Sequence, residues 1–566
     1  MIRNALRILA LALGAVHTTV AVLKQSFNED GINYLDLGDA IMRGDWEMAV
    51  NGIWSPLYSA LLGCVLALFK PGIHWEFPAV QITNFLIYAI ALVCFEFFWN
   101  QLTSRYQKQM QTDFIGFDAT QFMILGYSLF IWSSLNMIEM WSVSPDMLVA
   151  ALVYLAAGLF VRLSSSPDSV SAAVLLGVTL GVGYLAKAAM MPLGLVCVVL
   201  TLIIAGDKRM RLRRLAISAS GFLIISAPLV VAISLEQGKP AFSDIGRFTY
   251  LKHVNEMPYP NFQSKLVDLK GTPLTPPRQI HESPPVYEFA YPVGGTYPMA
   301  FDPGYWTSGL QPTVTVSKQL RAVTTNLMAY FDLFVRTQGG FLAIVALLAI
   351  MSLTQSIRKR SIDLELMLIL WALAALGMYS LVNVTSRYIA PFTILIWSGF
   401  LSLITLPDRQ HCRTLLGIGA PLLVAFLWIN IAAMNLEGLA GVAGFTPLSE
   451  SGTQQNQFSD GHQTDHPVVA EILISKGLKR GDNIGFIGYS YTEYWARLAR
   501  LKIVAEIQPQ DVEDFWDAGS DIQQDVLSAF AAAGVTAVVA APLQSKSVPV
   551  GWESVGQTGY LLYPIQ

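Results

Sequence analysis

The sequence predicts a polytopic α-helical membrane protein carrying a small exported α/β domain at its C-terminal end. Three observations predict it. Of 566 residues 53% are hydrophobic and 13% charged, with mean hydropathy +0.48. Apolar runs of spanning length recur from Ala5 to Met434, and the last hundred residues or so switch to alternating strand and helix patterns. A chain this apolar lies outside the range of ordinary soluble proteins. The formal charge of −4 and the lack of a basic tail argue against a nucleic-acid partner.

A span needs about 20 apolar residues. The candidates are Ala5 to Leu23, Phe77 to Trp99, Gln121 to Met137, Met147 to Leu163, Ser171 to Ala186 and Met190 to Ala205, then Leu215 to Leu235, Gly340 to Leu353, Leu364 to Val382, Tyr388 to Leu406 and Leu415 to Met434. That makes about eleven by the length criterion. The first has a basic flank but no clear small-residue cleavage site, so it reads as a retained span. Pro56 to Phe69 is apolar but short, opens with Pro and runs into Lys70-Pro71-Gly72; it reads as an interfacial helix. With the N-terminus inside, this threading puts Arg105/Lys108, Arg162, Lys208 to Arg214, Arg358-Lys359-Arg360 and Arg409/Arg413 on the cytoplasmic side, as the positive-inside rule requires. Counting Pro56 to Phe69 as a span would invert every later loop. Cys64, Cys94 and Cys197 lie in apolar runs and Cys412 beside a basic loop, so no pair is placed for a disulfide.

The expected organisation is a membrane domain over 1–435, with exported loops at 24–76 and 236–339, a polar linker at 436–465 and an exported α/β domain at 466–566. The loop 236–339 is rich in Pro, Gly and Tyr, which predicts turns and extended, substrate-facing chain. In the tail, Asn483 to Gly488, Lys502 to Ile507, Thr536 to Ala541 and a final YLLY read as strands, with helices at Thr492 to Leu501 and near Asp521 to Ala533. GFIGYS lacks GxGxxG and reads as a plain strand-to-helix turn.

Chemistry-bearing residues gather on the exported side. In FNEDGINYLDLGDAIMRGDW, Phe27 to Trp46, an amphipathic interfacial helix is expected whose Asp36, Asp39 and Arg43 form its solvated face, Asp39 and Arg43 being an i,i+4 pair. Glu29 and Asp30 precede that helix. Asp30 suits an N-cap, Asp146 after Pro145 a first-turn acid, and Lys187 and Arg387 snorkelling cations. Yet two carboxylates and two cations at the outer ends of four spans match one reaction. In sugar transfer from a polyprenyl-phosphate donor, a carboxylate takes the acceptor's proton and a cation stabilises the departing phosphate.

The motifs NEDGINYLDLGDAIMRGDW with WSPLYSALLG, SPDMLVAALVYLAAG, GYLAKAAMMPL and SRYIAPF resemble, in order and spacing, those of GT-C glycosyltransferases of the protein O-mannosyltransferase and aminoarabinose transferase branch. The resemblance covers the chain to about Leu406. It implies a GT-C fold and an inverting transferase in a bacterial-type inner membrane, with its active site on the periplasmic face. It also implies Asp30 as base, Asp146 supporting it, and Lys187 and Arg387 facing phosphate. Tyr34, Tyr58 and Tyr388 stand in the same motifs and are expected to bind substrate. Ser55-Pro56 replaces a frequent Pro-Pro, and Glu29-Asp30 replaces a frequent Asp-Glu, so Glu29 stays a second candidate base. The tail is not required by the family pattern. No cofactor is expected: His462 and His466 are four apart but in a polar linker where no helix is predicted, although Asp30 with Asp146 offers hard oxygen ligands for a divalent ion. Expected partners are the lipid-linked donor, a lipid, glycan or protein acceptor, and the membrane. The rival class is a transporter or flippase of lipid-linked sugars. It would place ionisable residues and helix breaks at mid-membrane and repeat itself internally; the sequence does neither.

Overall fold

A computed structural model describes residues 1–25, 27–109, 114–258, 269–289, 292–356, 363–442, 463–542 and 548–565. The basic cluster 358–360, most of the linker and His462 lie outside the described residues. All eleven apolar stretches fall on helical structure, and several of these helices run on well past the apolar stretch, as Ile73–Gln109 and Lys208–Gln237 do. Among the described residues five helices are long and apolar enough to cross a membrane: Ile2–Lys24, Ile73–Lys108, Asp146–Ser165, Lys208–Gln237 and Gln410–Ala433. Val170–Ala186, Met190–Ile203 and Leu364–Ser380 are shorter apolar helices. The chain is a multi-pass membrane protein.

The long loop departs from the extended chain expected of it. Its first part is broken by Pro and Gly, but Val316–Phe331 is a helix, continued by a π-helical turn Asp332–Arg336. No Pro or Gly occurs between Thr313 and Thr337 to stop it. It meets Gly339–Ser352 at 78°, and the two together would make a sixth, broken span.

Two ends of the helical bundle are distinguishable by what meets there. At one end Tyr106 Oη donates to Ile404 O at 2.7 Å, Arg105 Nη1 donates to Ser164 Oγ at 3.2 Å, and Phe114–Ile115 pairs antiparallel with Leu406–Pro407. The basic loops around Arg105 and Arg162 are therefore at this end. Asp30, Asp146, Lys187 and Arg387 meet at the other.

Pro56–Phe69 has 14 residues, about 21 Å at 1.5 Å each, short of a bilayer core of about 30 Å. It packs on Gly31–Arg43 through facing glycines. A Cβ on Gly38 would stand 2.5 Å from Ser59 O, and one on Gly63 2.6 Å from Gly38 O, so only glycine permits this approach.

The tail folds as read. The strands are Asn483–Ile487, Lys502–Ile507, Ala537–Ala540 and Leu561–Pro564, and the helices include Tyr494–Leu498 and Ser520–Ala532. GFIGYS is a strand leading into a 3₁₀ turn at Ser490–Thr492. The tail does not complete its sheet alone, because a hairpin of the long loop joins it. With β1 Arg278–Glu282, β2 Pro285–Glu288, β3 Asn483–Ile487, β4 Lys502–Ile507, β5 Ala537–Ala540, β6 Glu553–Ser554 and β7 Leu561–Pro564, the order is β1-β2-β4-β3-β5-β7-β6. The three central strands β4, β3 and β5 are parallel, and β2 pairs antiparallel with β4. A helix does begin at His466, where none was expected: Asp465 precedes it and Pro467 stands in its first turn, a favourable helix start.

Two carboxyls are buried in this unit with hydroxyl and indole donors and no ion-pair partner among the described residues. Glu506 accepts from Tyr297 Oη at 2.8 Å and Ser490 Oγ at 2.7 Å; Glu493 accepts from Trp495 Nε1 and from Tyr560 Oη at 2.8 Å. Burial pushes each up to about 7, against the pull of those donors. A raised folded pKa means the native state binds more protons than the unfolded one between about 4.5 and 7. The stability these groups contribute is thus full below that window and lost as pH rises through it. Glu506→Gln is expected to flatten the fall of melting temperature across pH 4.5–7; calorimetry of both proteins over that range checks it.

Candidate active site

The site is assembled from four helix ends. Asp30 occupies the N-cap position of Gly31–Arg43, yet its carboxylate makes no capping bond. It accepts instead from Arg387 Nη2 at 3.3 Å. The loop carrying it is fixed by Asn28, whose Oδ1 accepts from Val143 N at 2.7 Å and whose Nδ2 donates to Val143 O at 3.3 Å. That two-way bond ties the first loop to the turn leading into Asp146.

Asp146 opens the helix Asp146–Ser165 and is 3% exposed. Lys187 Nζ donates to its Oδ1 at 2.5 Å, and Arg387 Nε lies 3.4 Å from its Oδ2. Lys187 reaches it because the chain turns extended, at φ −157°, ψ 128°, after the helix Val170–Ala186. Arg387 is in the first turn of Ser386–Leu403, and its Nη1 donates to Ser142 Oγ at 3.1 Å. The Lys187 ammonium also stands 3.7 Å over the Tyr388 ring, a cation–π contact. Asp146 is a first-turn acid as expected, but capping and snorkelling leave out what joins the four: they are one network.

Exposure divides the roles. The side chains of Asp30, Arg387 and Lys187 are 38%, 23% and 22% exposed, against 3% for Asp146. Asp146 is the buried counter-charge of two cations that are themselves partly exposed. Burying it unpaired would be costly, which is why two partners converge on it.

Glu29 turns the other way, toward the tail. Its Oε1 accepts from Tyr489 Oη at 2.6 Å, across 460 residues of sequence. Burial pushes its carboxyl up, the Tyr489 bond opposes that, and the neighbouring Asp30 adds to the rise. Lys252, on the helix Ile245–His253 of the long loop, is pulled down by burial and held up by Glu29 and Asp30.

Tyr34 and Tyr58 are buried beside the network, Tyr34 close enough to feel the charges of Asp30, Asp146 and Arg387. Tyr34 is 7% exposed with its ring edge-on to Trp54 and Tyr58. Tyr58 is 1% exposed, and its hydroxyl donates at 2.7 Å to Asn84 Oδ1, whose Nδ2 donates to Ser142 O at 3.4 Å. Ring and hydroxyl are consumed in supporting the 139–146 turn. Tyr388 is at the site through Lys187.

The expected solvated face of Gly31–Arg43 is a correction. Asp36 is 6% exposed and accepts from Arg497 Nη1 at 2.6 Å and Thr296 N at 2.6 Å; Asp39 pairs with Arg497 at 3.1 Å and Arg500 at 2.9 Å. Asp36 and Asp39 face the tail, not water, while Arg43 is exposed as expected. The helical pattern gives the two faces but not what covers each. Sequence reading also missed Asn28, Ser142, Lys252 and Tyr489. Asn28 stood beside the acidic pair as a local signal; Tyr489 had none.

No family model matches the chain, and no curated protein matches its sequence. Solved structures do resemble it. ArnT from Cupriavidus metallidurans in the apo state aligns over 94% of this chain and 92% of its own, at 14% identity and a TM-score of 0.50. The same protein bound to undecaprenyl phosphate aligns over 98% and 97%, at 13% identity and 0.49. An oligosaccharyltransferase from Archaeoglobus fulgidus tethered to an acceptor peptide aligns over 94% of this chain and 68% of its own, at 12% identity and 0.46. The chain has the GT-C fold. At such identity the likeness carries the fold and not the substrate.

Proposed function

We propose that this protein is a membrane glycosyltransferase. It moves a sugar from a polyprenyl-phosphate donor to an acceptor hydroxyl or amine, with inversion, on the exported face of a bacterial-type plasma membrane. One observation carries the reading: an open carboxylate, Asp30, stands within one ion-pair network of two partly open cations, which a buried second carboxylate, Asp146, holds in place. Those are the charges an inverting transfer needs, a base and an anion site, in contact here until a sugar enters between them.

Asp30 takes the acceptor's proton as the acceptor atom attacks the sugar's C1. The C1–O bond to phosphate breaks on the opposite face, and its electron pair leaves with polyprenyl phosphate. Arg387 and Lys187 meet the charge that grows there, and Arg387 moves its hydrogen bond from Asp30 to phosphate as the donor enters. A transporter has no use for an open base beside the anion site. The fold-level likeness agrees with the reading and leaves sugar, acceptor and linkage open.

The test is purified protein in detergent with a polyprenyl-phosphate sugar and an envelope extract as acceptor source. Release of polyprenyl phosphate coupled to appearance of a glycosylated product is the expected outcome. Detergent leaves no second compartment, so a flippase would return the donor intact, and that result would overturn the proposal.

A further inference from the structure

Beyond the network just described, the tail reaches the site itself. The strand β3 ends at Ile487, and the turn after it projects Tyr489 to Glu29. The turn is braced on its own side. Ser490 Oγ donates to Glu506 at 2.7 Å, and the Tyr489 and Tyr491 rings stack at 5.5 Å. Tyr491 packs edge-on to Tyr297 at 4.9 Å, and Tyr297 also bonds Glu506. On the other side Phe27, two residues before Glu29, stacks on Tyr494 at 4.1 Å and 12°. A hydroxyl so braced is a fixed donor, which costs little further ordering to use.

We infer that Tyr489 is a positioning residue for the reaction centre: its phenol, delivered by the C-terminal domain, holds Glu29 away from the acceptor so that Asp30 alone serves as base. The inference rests on the glycosyl-transfer reading for its effect on turnover, whereas the contact itself does not. Adjacent carboxylates of an acidic pair compete for protons and for the same cation. Here they are separated by partner: Arg387 serves Asp30 and Tyr489 serves Glu29. The charged groups facing Glu29 are Asp30, Lys252 and Arg387.

The experiment compares Tyr489→Phe, Glu29→Gln and the double variant. It uses two readouts: the pH profile of kcat, and infrared titration of the Glu29 carboxyl, identified as the band that Glu29→Gln removes. Losing the phenol bond removes a pull toward the carboxylate. The Glu29 midpoint in Tyr489→Phe is then expected to rise, and kcat to fall about tenfold across the pH profile, the size of one hydrogen bond to a charged group. KM for the donor should stay within about twofold. On the Glu29→Gln background Tyr489→Phe should add nothing. An unmoved midpoint, or an equal loss of kcat in both backgrounds, overturns the inference. As a variant that keeps the ring and hydroxyl, 3-fluorotyrosine at 489 is a stronger donor and should move the midpoint down; no movement overturns it too. If the wild type transfers no sugar, the glycosyl-transfer reading fails, while the infrared midpoint still decides the contact.

Discussion

Asp30→Asn is expected to lower kcat by about 10²–10⁴-fold, the contribution of a positioned general base, while the protein inserts, folds and melts nearly as the wild type does. The two halves of this expectation come from different features of the same side chain. Asn keeps the shape and can still accept from Arg387 Nη2, so the network around Asp146 survives. Asp30 is 38% exposed and its ion pair with Arg387 is at 3.3 Å, so losing the charge should cost no more than a surface pair, about 1 kcal/mol or less. What Asn cannot do is take a proton from the acceptor. Glu29→Gln removes the neighbouring acid, which faces Tyr489 and not the open side, and should cost far less. Donor binding, read by titration with polyprenyl-phosphate sugar, should be retained in Asp30→Asn because the cations are untouched. Full turnover in Asp30→Asn, or a greater loss in Glu29→Gln, would move the base to Glu29.

The sequence made some of this legible for a local reason and hid the rest for a non-local one. Apolar periodicity and length are local, so the helical stretches were readable though their polar ends were not, and the tail strands were readable almost to the residue; Lys502–Ile507 matches in full. Asp30, Asp146, Lys187 and Arg387 were readable because an ionisable residue at a span end is rare and four on one side are rarer. Their mutual distances were not, since capping and snorkelling explained each one singly. Asp36 and Asp39 were misread because an amphipathic helix reports two faces and says nothing about a partner arriving 458–461 residues later. Val316–Phe331 was absorbed into a loop because the Pro-rich half coloured the whole segment.

The second large effect concerns that hidden partner. Arg497 is 1% exposed and donates to Asp36 Oδ1 at 2.6 Å, Asp39 Oδ2 at 3.1 Å and Glu76 Oε1 at 2.9 Å, with Arg500 adding Asp39 and Glu76 from the same turn. Asp36 and Glu76 are themselves 6% and 3% exposed. Arg497→Ala leaves Asp39 and Glu76 to Arg500 and strands the buried Asp36, and breaking such a pair costs about 3–5 kcal/mol. Arg497→Lys should recover only part, because one ammonium cannot present the planar fork that bonds two helices at once. The pH dependence carries the sign. Burial already pushes the Asp36 carboxyl up in the wild type, with Arg497 opposing it, so removing Arg497 raises it further. The folded state then holds a proton that the unfolded chain, at about 3.9, has released, and stability drains away as pH rises through that widened window. The gap between Arg497→Ala and wild type should therefore be widest near neutrality and close well below about pH 4, where the Asp36 carboxyl is protonated in both states. Limited proteolysis of the tail and its thermal melt, followed across pH, read this directly. A gap that stays constant with pH would mean the loss is one of packing, and that the carboxylates around Arg497 are not what docks the tail against the first loop.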